Sequence, residues 1–400
     1  MHPKLARGVR RAGARLILSM IFLFTLPGCR WEGSGATLTP PVTGGTAQAV
    51  TLVSQDNALA FAQVVTSALN KTLIVGKIAN DATSAVAPDF CNSSDPGVAF
   101  HDCQGTTPYI PSALNFMVVP PQSSTNTVPG LVTGICDSAS PNSSGASAGT
   151  YNITATYVDP AVYTPPPGVL YQVSVRNTLD VQFNNCVIRG VDMDGGFHVT
   201  NLTFDDSLFT TDRTELASGW IIFDGLVIRN VGHETSFNSW DGGTGQKYVS
   251  FTTSEMSDGA IRTEMTTGDT VLSQDQSNQN LDNILVSLDF SYTYQPATDN
   301  IVLDANGHVN IDSEILGIHK ADVLVSMPAV NWYNSENAPY DGTAVYTENS
   351  IPTTTPARLL LDVLGGTGLG SIQLNLDLDG NGINDGTGST YPWVALAGAY

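Results

Sequence analysis

The chain has 400 residues, of which 16 are Lys or Arg and 37 are Asp or Glu, so its formal charge is −21 at pH 7. This acidic balance argues against binding to nucleic acid or to anionic headgroups, because both require clustered Lys and Arg. Charged residues nevertheless make up only 13% of the chain. That composition argues against disorder by charge and is typical of an exported β-protein with a surface of Ser, Thr, Asn and Gln.

Residues 1–28 have the form of a signal peptide. Five basic residues and no acidic ones precede an apolar core, Leu16–Leu26. This core is well short of the roughly 20 residues that span a bilayer as a helix. The following Leu26-Pro27-Gly28-Cys29 resembles the lipobox of bacterial lipoproteins, with Pro27 as a departure from the usual small residue. The resemblance implies cleavage after Gly28 and a lipid on Cys29. Alternatives are an ordinary cleaved signal and a short membrane anchor.

The resemblance also bears on location and charge. Arg30, the residue after the lipidated position, is not the Asp that marks inner-membrane retention, so the resemblance implies the outer membrane. Cleavage would leave 11 Lys and Arg against 37 Asp and Glu, a formal charge of −26. Residues 29–50 are rich in Gly, Thr and Pro and are predicted to form a flexible tether.

Residues 51–150 are predicted to hold one helix and a loop region rich in Cys and Pro. Ser54 can cap a helix over roughly Ser54–Leu69, while the apolar run Leu73–Ile78 fits a strand or a helix. An irregular, disulfide-pinned cap is expected over Ala79–Gly149. The apolar positions that share one face of the helix are Ala58, Phe61, Ala62, Val65, Ala68 and Leu69.

Four cysteines remain once Cys29 carries a lipid, and their spacing matches no compact zinc or CxxC pattern. They are Cys91, Cys103, Cys136 and Cys186. Four thiols allow three pairings, among which the sequence does not choose. Of these we favour a local Cys91–Cys103 bridge and a Cys136–Cys186 bridge from the loop region to the sheet.

Residues 151–400 are predicted to form an antiparallel β-domain of about ten to twelve strands. We expect a turn at Gly195-Gly196, a β-bulge near Thr200/Asn201 and a hairpin at Asn306-Gly307. The segments with strand character are Tyr171–Ile188, Asp192–Phe204, Trp220–Ile228, Lys247–Thr253, Ala260–Met265, Ile284–Tyr294, Val323–Met327, Leu359–Leu364 and Ile372–Leu376. The fold class is therefore mainly β: a large antiparallel curved sheet, sandwich or open-barrel-like, packed on one N-terminal helix.

A short internal echo relates two of these segments. Phe183-Asn-Asn-Cys-Val-Ile-Arg189 resembles Phe223-Asp-Gly-Leu-Val-Ile-Arg229 at an offset of 40 residues, which indicates two equivalent strands of a meander. The chain resembles a group of β-rich proteobacterial outer-membrane lipoproteins. The features that carry this resemblance are the lipobox, the early Asn57-Ala58 helix, the motif Phe183-Asn184-Asn185-Cys186 and the late Asp377–Asp385 loop. That resemblance spans most of the mature chain and implies no particular activity.

The clearest candidate site is the loop Asp377–Asp385, which has oxygen-bearing residues at positions 1, 3, 5 and 9 and Gly at position 6 of an EF-hand-type Ca²⁺ loop. The predicted ligands are Asp377, Asp379, Asn381, the carbonyl of Ile383, and Asp385. Gly388 replaces the bidentate Glu of position 12, so a later residue would have to complete the shell, as in dockerin or thrombospondin loops. The alternative is a plain hairpin turn, because Asn, Gly and Asp are also turn residues.

Other candidate chemistry is sparse. The mature histidines, His101, His198, His233, His308 and His319, lie in no paired-ligand spacing, and the glycine run Gly365–Gly370 lacks the helix of a phosphate cradle. The carboxylate pairs Asp192/Asp194 and Asp205/Asp206 are the candidates for a glycosidase-type pair. Aromatic residues that could line a glycan or peptide groove are Trp220, Trp240, Trp332 and Trp393.

The interpretation that fits most of these features is a lipid-anchored, non-enzymatic protein that binds or scaffolds an envelope protein or glycan at the bacterial outer membrane. A secreted, carboxylate-dependent hydrolase acting on glycans is the alternative, and it requires Asp and Trp in one deep cleft. A transmembrane β-barrel is a third, which short strands and frequent Pro disfavour.

Overall fold

The structure is a computed structural model that describes residues 49–86, 130–139, 149–156, 177–188, 190–204, 217–230, 233–239, 249–268, 270–275, 281–313, 316–333, 338–365, 370–386 and 388–397. In the described chain, one long helix lies against one large antiparallel sheet, which does not close on itself. The predicted fold class is therefore confirmed. The signal peptide, Cys29 and nearly all of the tether lie outside the described residues.

The long helix, α1, spans Ala58–Val86. Its first turn is capped by Asn57, whose backbone carbonyl accepts the Phe61 N–H at 3.1 Å. The Asn57 side chain accepts the Ser54 N–H at 2.7 Å and donates to the Leu52 carbonyl at 2.9 Å. The Ser54 carbonyl accepts the Ala58 N–H at 2.9 Å, so Ser54 contacts the start of the helix as predicted, although α1 itself begins at Ala58. The run Leu73–Ile78 continues the helix.

The first nine strands begin at Gly130, ahead of the β-domain boundary expected at residue 151. They are β1 (Gly130–Ile135), β2 (Ser138–Ala139), β3 (Thr150–Thr156), β4 (Asn177–Ile188), β5 (Val191–Phe204), β6 (Ala217–Asn230), β7 (His233–Ser239), β8 (Val249–Glu255) and β9 (Ile261–Thr266). Together, α1 and these strands show that regular structure occupies both ends of the segment Ala79–Gly149, where irregular structure was predicted.

The C-terminal half adds nine further strands and a short helix. They are β10 (Thr270–Asp275), β11 (Leu281–Gln295), β12 (Asn300–Ser313), β13 (Ile318–Tyr333), β14 (Pro339–Asp341), β15 (Thr343–Glu348), β16 (Arg358–Leu364), β17 (Ser371–Asp377), β18 (Ser389–Pro392) and α2 (Trp393–Ala397). Each predicted strand segment coincides with one of the observed strands, and most observed strands are longer.

The sheet is a meander in which shorter strands are joined end to end. β7 and β8 both pair with β6, at opposite ends of that strand. β9 and β10 in the same way share the length of β11. All recorded pairings in the described chain are antiparallel and connect strands that are close in sequence. Neighbouring strands in the sheet are therefore also close in sequence, as in a meander.

α1 fills the inner face of the sheet. Thr66 and Tyr346 of β15 share a hydrogen bond of 2.9 Å, and the Tyr292 hydroxyl of β11 donates to the Gly76 carbonyl at 3.1 Å. Contacts to strands this far apart mean that the sheet curls around the helix. Burial therefore extends almost all round α1. Among the helix residues up to 83, whose burial is described, the half-buried polar positions are Gln63, Asn70 and Lys77, seven residues apart.

Bulges at matching positions bend β4, β5 and β6. Asn184 and Asn185 oppose a single residue of β5, and Asp224 is the extra residue of β6. Asn185 and Gly225 have φ of 48° and 65°, as β-bulges of this kind require. These are corresponding positions of the internal echo, so the two copies do occupy equivalent strands on either side of β5.

Two predicted turns are wrong, and one predicted bulge is right. Gly195-Gly196 lies inside β5 and Asn306-Gly307 lies inside β12. A Cβ on Gly195 would lie 1.8 Å from the Gly225 carbonyl oxygen, and one on Gly307 would lie 2.2 Å from the Ser287 carbonyl oxygen. These glycines therefore permit close approach of neighbouring strands. The bulge near Thr200/Asn201 is confirmed by a register shift there.

One of the two predicted disulfides lies in the described chain. Cys136 follows β1 and is bonded to Cys186 of β4, with their Cα atoms 5.4 Å apart. Both cysteines are buried. The predicted Cys136–Cys186 pairing is confirmed, but it ties the end of β1 to β4 within one sheet, where a link from a loop region to the sheet was predicted. The Cys91–Cys103 pairing lies outside the described residues.

Candidate metal site

The loop Asp377–Asp385 connects β17 to β18 and is closed by backbone pairing. The Asp385 N–H donates to the Leu376 carbonyl at 2.7 Å, and β18 pairs back on β17 from Ser389 to Pro392. The loop is therefore a hairpin connection. That geometry agrees with both interpretations of the sequence, since an ion-binding loop can also be a turn.

Asp377 is the centre of the loop. Its side chain is fully buried, and its two carboxylate oxygens accept the N–H groups of Asn381 at 3.0 Å and Gly382 at 2.9 Å. Gly382 has φ of 83°, so the sharp turn predicted at position 6 is formed by a residue with no Cβ penalty. This arrangement holds the Asp377 carboxylate at a fixed place beneath the loop.

Two further carboxylates join Asp377. One oxygen of each of Asp377, Asp379 and Asp385 lies within 4.8 Å of the others. Three negative charges this close repel one another unless a cation lies between them. Hydrogen bonds stabilise the cluster only in part: Asp385 accepts the Leu378 N–H at 2.6 Å, and Asp379 accepts from the Asn381 backbone and side chain.

The remaining predicted ligands lie in the same loop. The Asn381 side-chain oxygen accepts the Ile383 N–H at 2.7 Å, which leaves its second lone pair available. The Ile383 side chain is exposed, as expected for a residue that would contribute only its carbonyl. A Cβ on Gly388 would lie 2.2 Å from the Asn375 side-chain oxygen. Gly388 offers no side-chain ligand at position 12, so water or a further residue would have to complete an oxygen shell.

A supporting group was missed in the sequence. The Asn384 side-chain oxygen accepts the Leu376 N–H at 3.0 Å, and its amide donates to Asn375, which in turn donates to Asp362 of β16. This chain of amides fixes the loop on the neighbouring strands. The Asn that directly precedes the last acidic position was its only sequence signal.

The described histidines each contact an aspartate on the outward face of the sheet. His308 lies 3.2 Å from Asp322, and His319 lies 3.3 Å from Asp312. His198 contacts two carboxylates, those of Asp180 and Asp224. His101 and the side chain of His233 lie outside the described residues.

One predicted carboxylate pair lies in the described chain and is bound by an arginine, and the described Trp side chains do not line a common groove. Asp192 and Asp194 share Arg229 at 3.7 and 3.5 Å, and Asp205/Asp206 lie outside the described residues. Trp332 and Trp393 are buried and meet edge to face with ring centroids 5.5 Å apart, so they belong to the core. Trp220 is 43% exposed on β6, and Trp240 is not described.

No family model matches the sequence, and no curated protein or solved structure matches it significantly.

Proposed function

We propose that the protein is a lipid-anchored, non-enzymatic binding or scaffold protein of the bacterial outer membrane. The observation that supports this proposal most directly is the filling of the inner face of the sheet by α1. A cavity of about 10 Å³ lies between α1 and the strands β6 to β9, room for about one water molecule. A partner would therefore meet the outward strand faces and loops, where the described Asp, Asn, Thr and His side chains lie.

The anchor is tested by substituting Cys29. The full-length chain should sediment with membranes and require detergent for release, while Cys29→Ala should be released in soluble form, because the lipid supplies the membrane affinity. The matched control is the double variant in which Cys136 and Cys186 are both replaced by Ala, because it loses cysteines and keeps Cys29. Membrane association that persists in Cys29→Ala would contradict lipid anchoring.

Protease treatment of intact cells then gives the orientation. With a C-terminal tag on the full-length chain, loss of the tag from intact cells would identify a surface protein that meets outside ligands. Loss only after lysis would identify a periplasmic scaffold. Cofractionation with the inner membrane would contradict the outer-membrane part of the proposal.

We also propose that the loop Asp377–Asp385 binds Ca²⁺ and thereby orders β18 and α2. The three clustered carboxylates supply hard oxygen ligands, which Ca²⁺ prefers. The Ala395 carbonyl of α2 accepts a hydrogen bond of 3.1 Å from the Gln63 side chain of α1. An ordered loop would therefore hold α2 against the core helix.

Calcium is tested by thermal unfolding of the protein with Ca²⁺ and with a chelator. Binding to the native state alone should stabilise it by about 3 kcal/mol at one hundred times the dissociation constant. Asp379→Asn should abolish this difference, while Asp289→Asn, an exposed aspartate of β11, should retain it. Asp377→Ala is a poorer test because it also removes two backbone hydrogen bonds. Identical melting curves with Ca²⁺ and with chelator would contradict calcium binding and leave the plain hairpin turn as the interpretation of the loop.

A further inference from the structure

A second polar cluster lies on the outward face of β4, β5 and β6, beside the bulges described above. His198 of β5 forms a hydrogen bond through its Nδ1 with Asp180 of β4. Its Nε2 lies 3.2 Å from Oδ2 of Asp224 in β6. The side chains of His198, Asp180 and Asp224 are 40%, 39% and 59% exposed. The cluster is thus open to solutes.

A fourth side chain reaches the same point. Gln182 of β4 lies across Gly196, where a Cβ would come within 2.8 Å of the Gln182 side chain. This gap in β5 lets the Gln182 amide extend over the strand, and its terminal nitrogen lies 3.4 Å from Oδ2 of Asp224. A half-turn of the amide would place its oxygen there instead.

The contact between His198 and Asp224 requires a cation. A neutral imidazole that donates Nδ1–H to Asp180 presents the lone pair of Nε2 to the negative Asp224 oxygen, and two acceptors do not attract each other. Either a proton or a metal ion must lie between them. The 3.2 Å separation lies at the long end of the N–H···O range of about 2.7–3.2 Å, so the contact admits a metal ion as well as a proton.

The separations fit a tetrahedral metal ion. Zinc binds imidazole nitrogen and carboxylate oxygen at about 2.0–2.2 Å, which places two ligand atoms of a tetrahedron about 3.3–3.6 Å apart. The distances of 3.2 and 3.4 Å around Asp224 are close to this edge length. Asp180 occupies the place of the carboxylate that commonly orients a zinc-bound histidine through its other ring nitrogen.

We propose that His198 Nε2, the Asp224 carboxylate and the Gln182 amide oxygen form a binding site for a divalent metal ion of the zinc class, with Asp180 as a positioning residue and water in the fourth place. The site differs from the oxygen-rich Ca²⁺ loop because its imidazole nitrogen favours Zn²⁺ over Ca²⁺. It also lies on different strands, so each site can be removed without the other.

The test is titration of the full-length protein with Zn²⁺ against a chromogenic competitor, in buffer with excess Ca²⁺. His198→Ala and Asp224→Asn should each bind one Zn²⁺ fewer than the unaltered protein. Asp180→Asn should bind the same number, at least tenfold more weakly at this site. His308→Ala is the matched control, because His308 contacts a single aspartate on the same face, and it should retain full binding.

Cobalt gives a readout that does not depend on any variant folding. Co²⁺ bound to the unaltered protein should show the visible absorption of a tetrahedral site, and added Zn²⁺ should remove it. Equal zinc stoichiometry in the unaltered protein and His198→Ala, with circular dichroism showing both folded, would overturn the proposal. So would the absence of a Co²⁺ band, which would leave a proton as the only cation between His198 and Asp224.

Discussion

The buried lysine of α1 should make the protein more stable as the pH rises from 7 to 9. Lys71 is 3% exposed, and burial lowers the pKa of its ammonium group from 10.5 to about 7. Between these two values the unfolded chain binds a proton that the folded chain has lost, so raising the pH favours the folded state. Below about pH 7 both states carry the proton, and this dependence disappears.

The size of the effect follows from the two pKa values. One pKa unit corresponds to about 1.4 kcal/mol, so the full difference corresponds to about 5 kcal/mol as an upper bound. Linkage then gives a gain of about 2 kcal/mol between pH 7 and pH 9. The window must end there because burial raises the pKa of Tyr292 above its usual 10. Above about pH 10 the unfolded chain alone loses that proton, so stability falls again.

Lys71→Met separates this effect from all other titrations. Methionine keeps the unbranched shape without the charge, so the gain of about 2 kcal/mol between pH 7 and pH 9 should be absent from the variant. The measurement is denaturant unfolding of both proteins across this range. Gln63→Met, at a half-buried position of the same helix that carries no titratable group, should leave the pH dependence unchanged. If the free energy of unfolding changed with pH in the same way for the unaltered protein and for Lys71→Met, the reasoning would be refuted.

Two further predictions concern the sheet. Replacing Cys136 and Cys186 by Ala should lower the free energy of unfolding by about 4 kcal/mol, because the bridge closes a loop of 50 residues; unfolding midpoints measured with and without reductant check this, and a variant no less stable than the oxidised protein would contradict it. Gly195→Ala should cost more than Gly190→Ala. Both positions have positive φ, but a Cβ at Gly195 would collide with the Gly225 carbonyl while one at Gly190 meets nothing within 4 Å. Equal losses in thermal stability would show that the strands separate freely there.

Strand positions were predictable because alternation is a local property. Leu179, Val181 and Phe183 alternate with polar residues and are all buried in β4. The turns at Gly195-Gly196 and Asn306-Gly307 were mispredicted for a related reason. A Gly pair looks the same in sequence whether the chain reverses there or continues beside a close neighbour, and only the partner strand decides.

The length of α1 could not be predicted from amphipathic periodicity. Beyond Leu69 the helix contains Lys71, Thr72, Asn80 and Asp81, all of them buried. A helix wrapped by a curled sheet has almost no solvent-exposed face. Polar residues along such a helix therefore do not indicate which side of it faces solvent. Only Pro88, a helix breaker, sets a limit in the sequence.

The two candidate sites differ in how far the sequence could reveal them. The candidate ligands in the loop Asp377–Asp385 are consecutive odd positions, so their spacing in the sequence was enough to identify them. The residues around His198 come from three strands, and no local motif joins Asp180, His198 and Asp224. The internal echo was the available signal, since it placed matching bulges in the strands on either side of β5.

The position of α1 in the chain has a consequence for synthesis. The helix precedes every strand that covers it, and about 290 residues separate its end at Val86 from the end of β17 at Asp377. At about 5–20 residues per second, roughly 15–60 s pass between the appearance of the helix and that of its last long strands. During that interval the 29 mostly apolar residues of α1 are covered only by the strands already made. This helix is therefore a segment of the newly made chain that stays open to aggregation until the meander is complete.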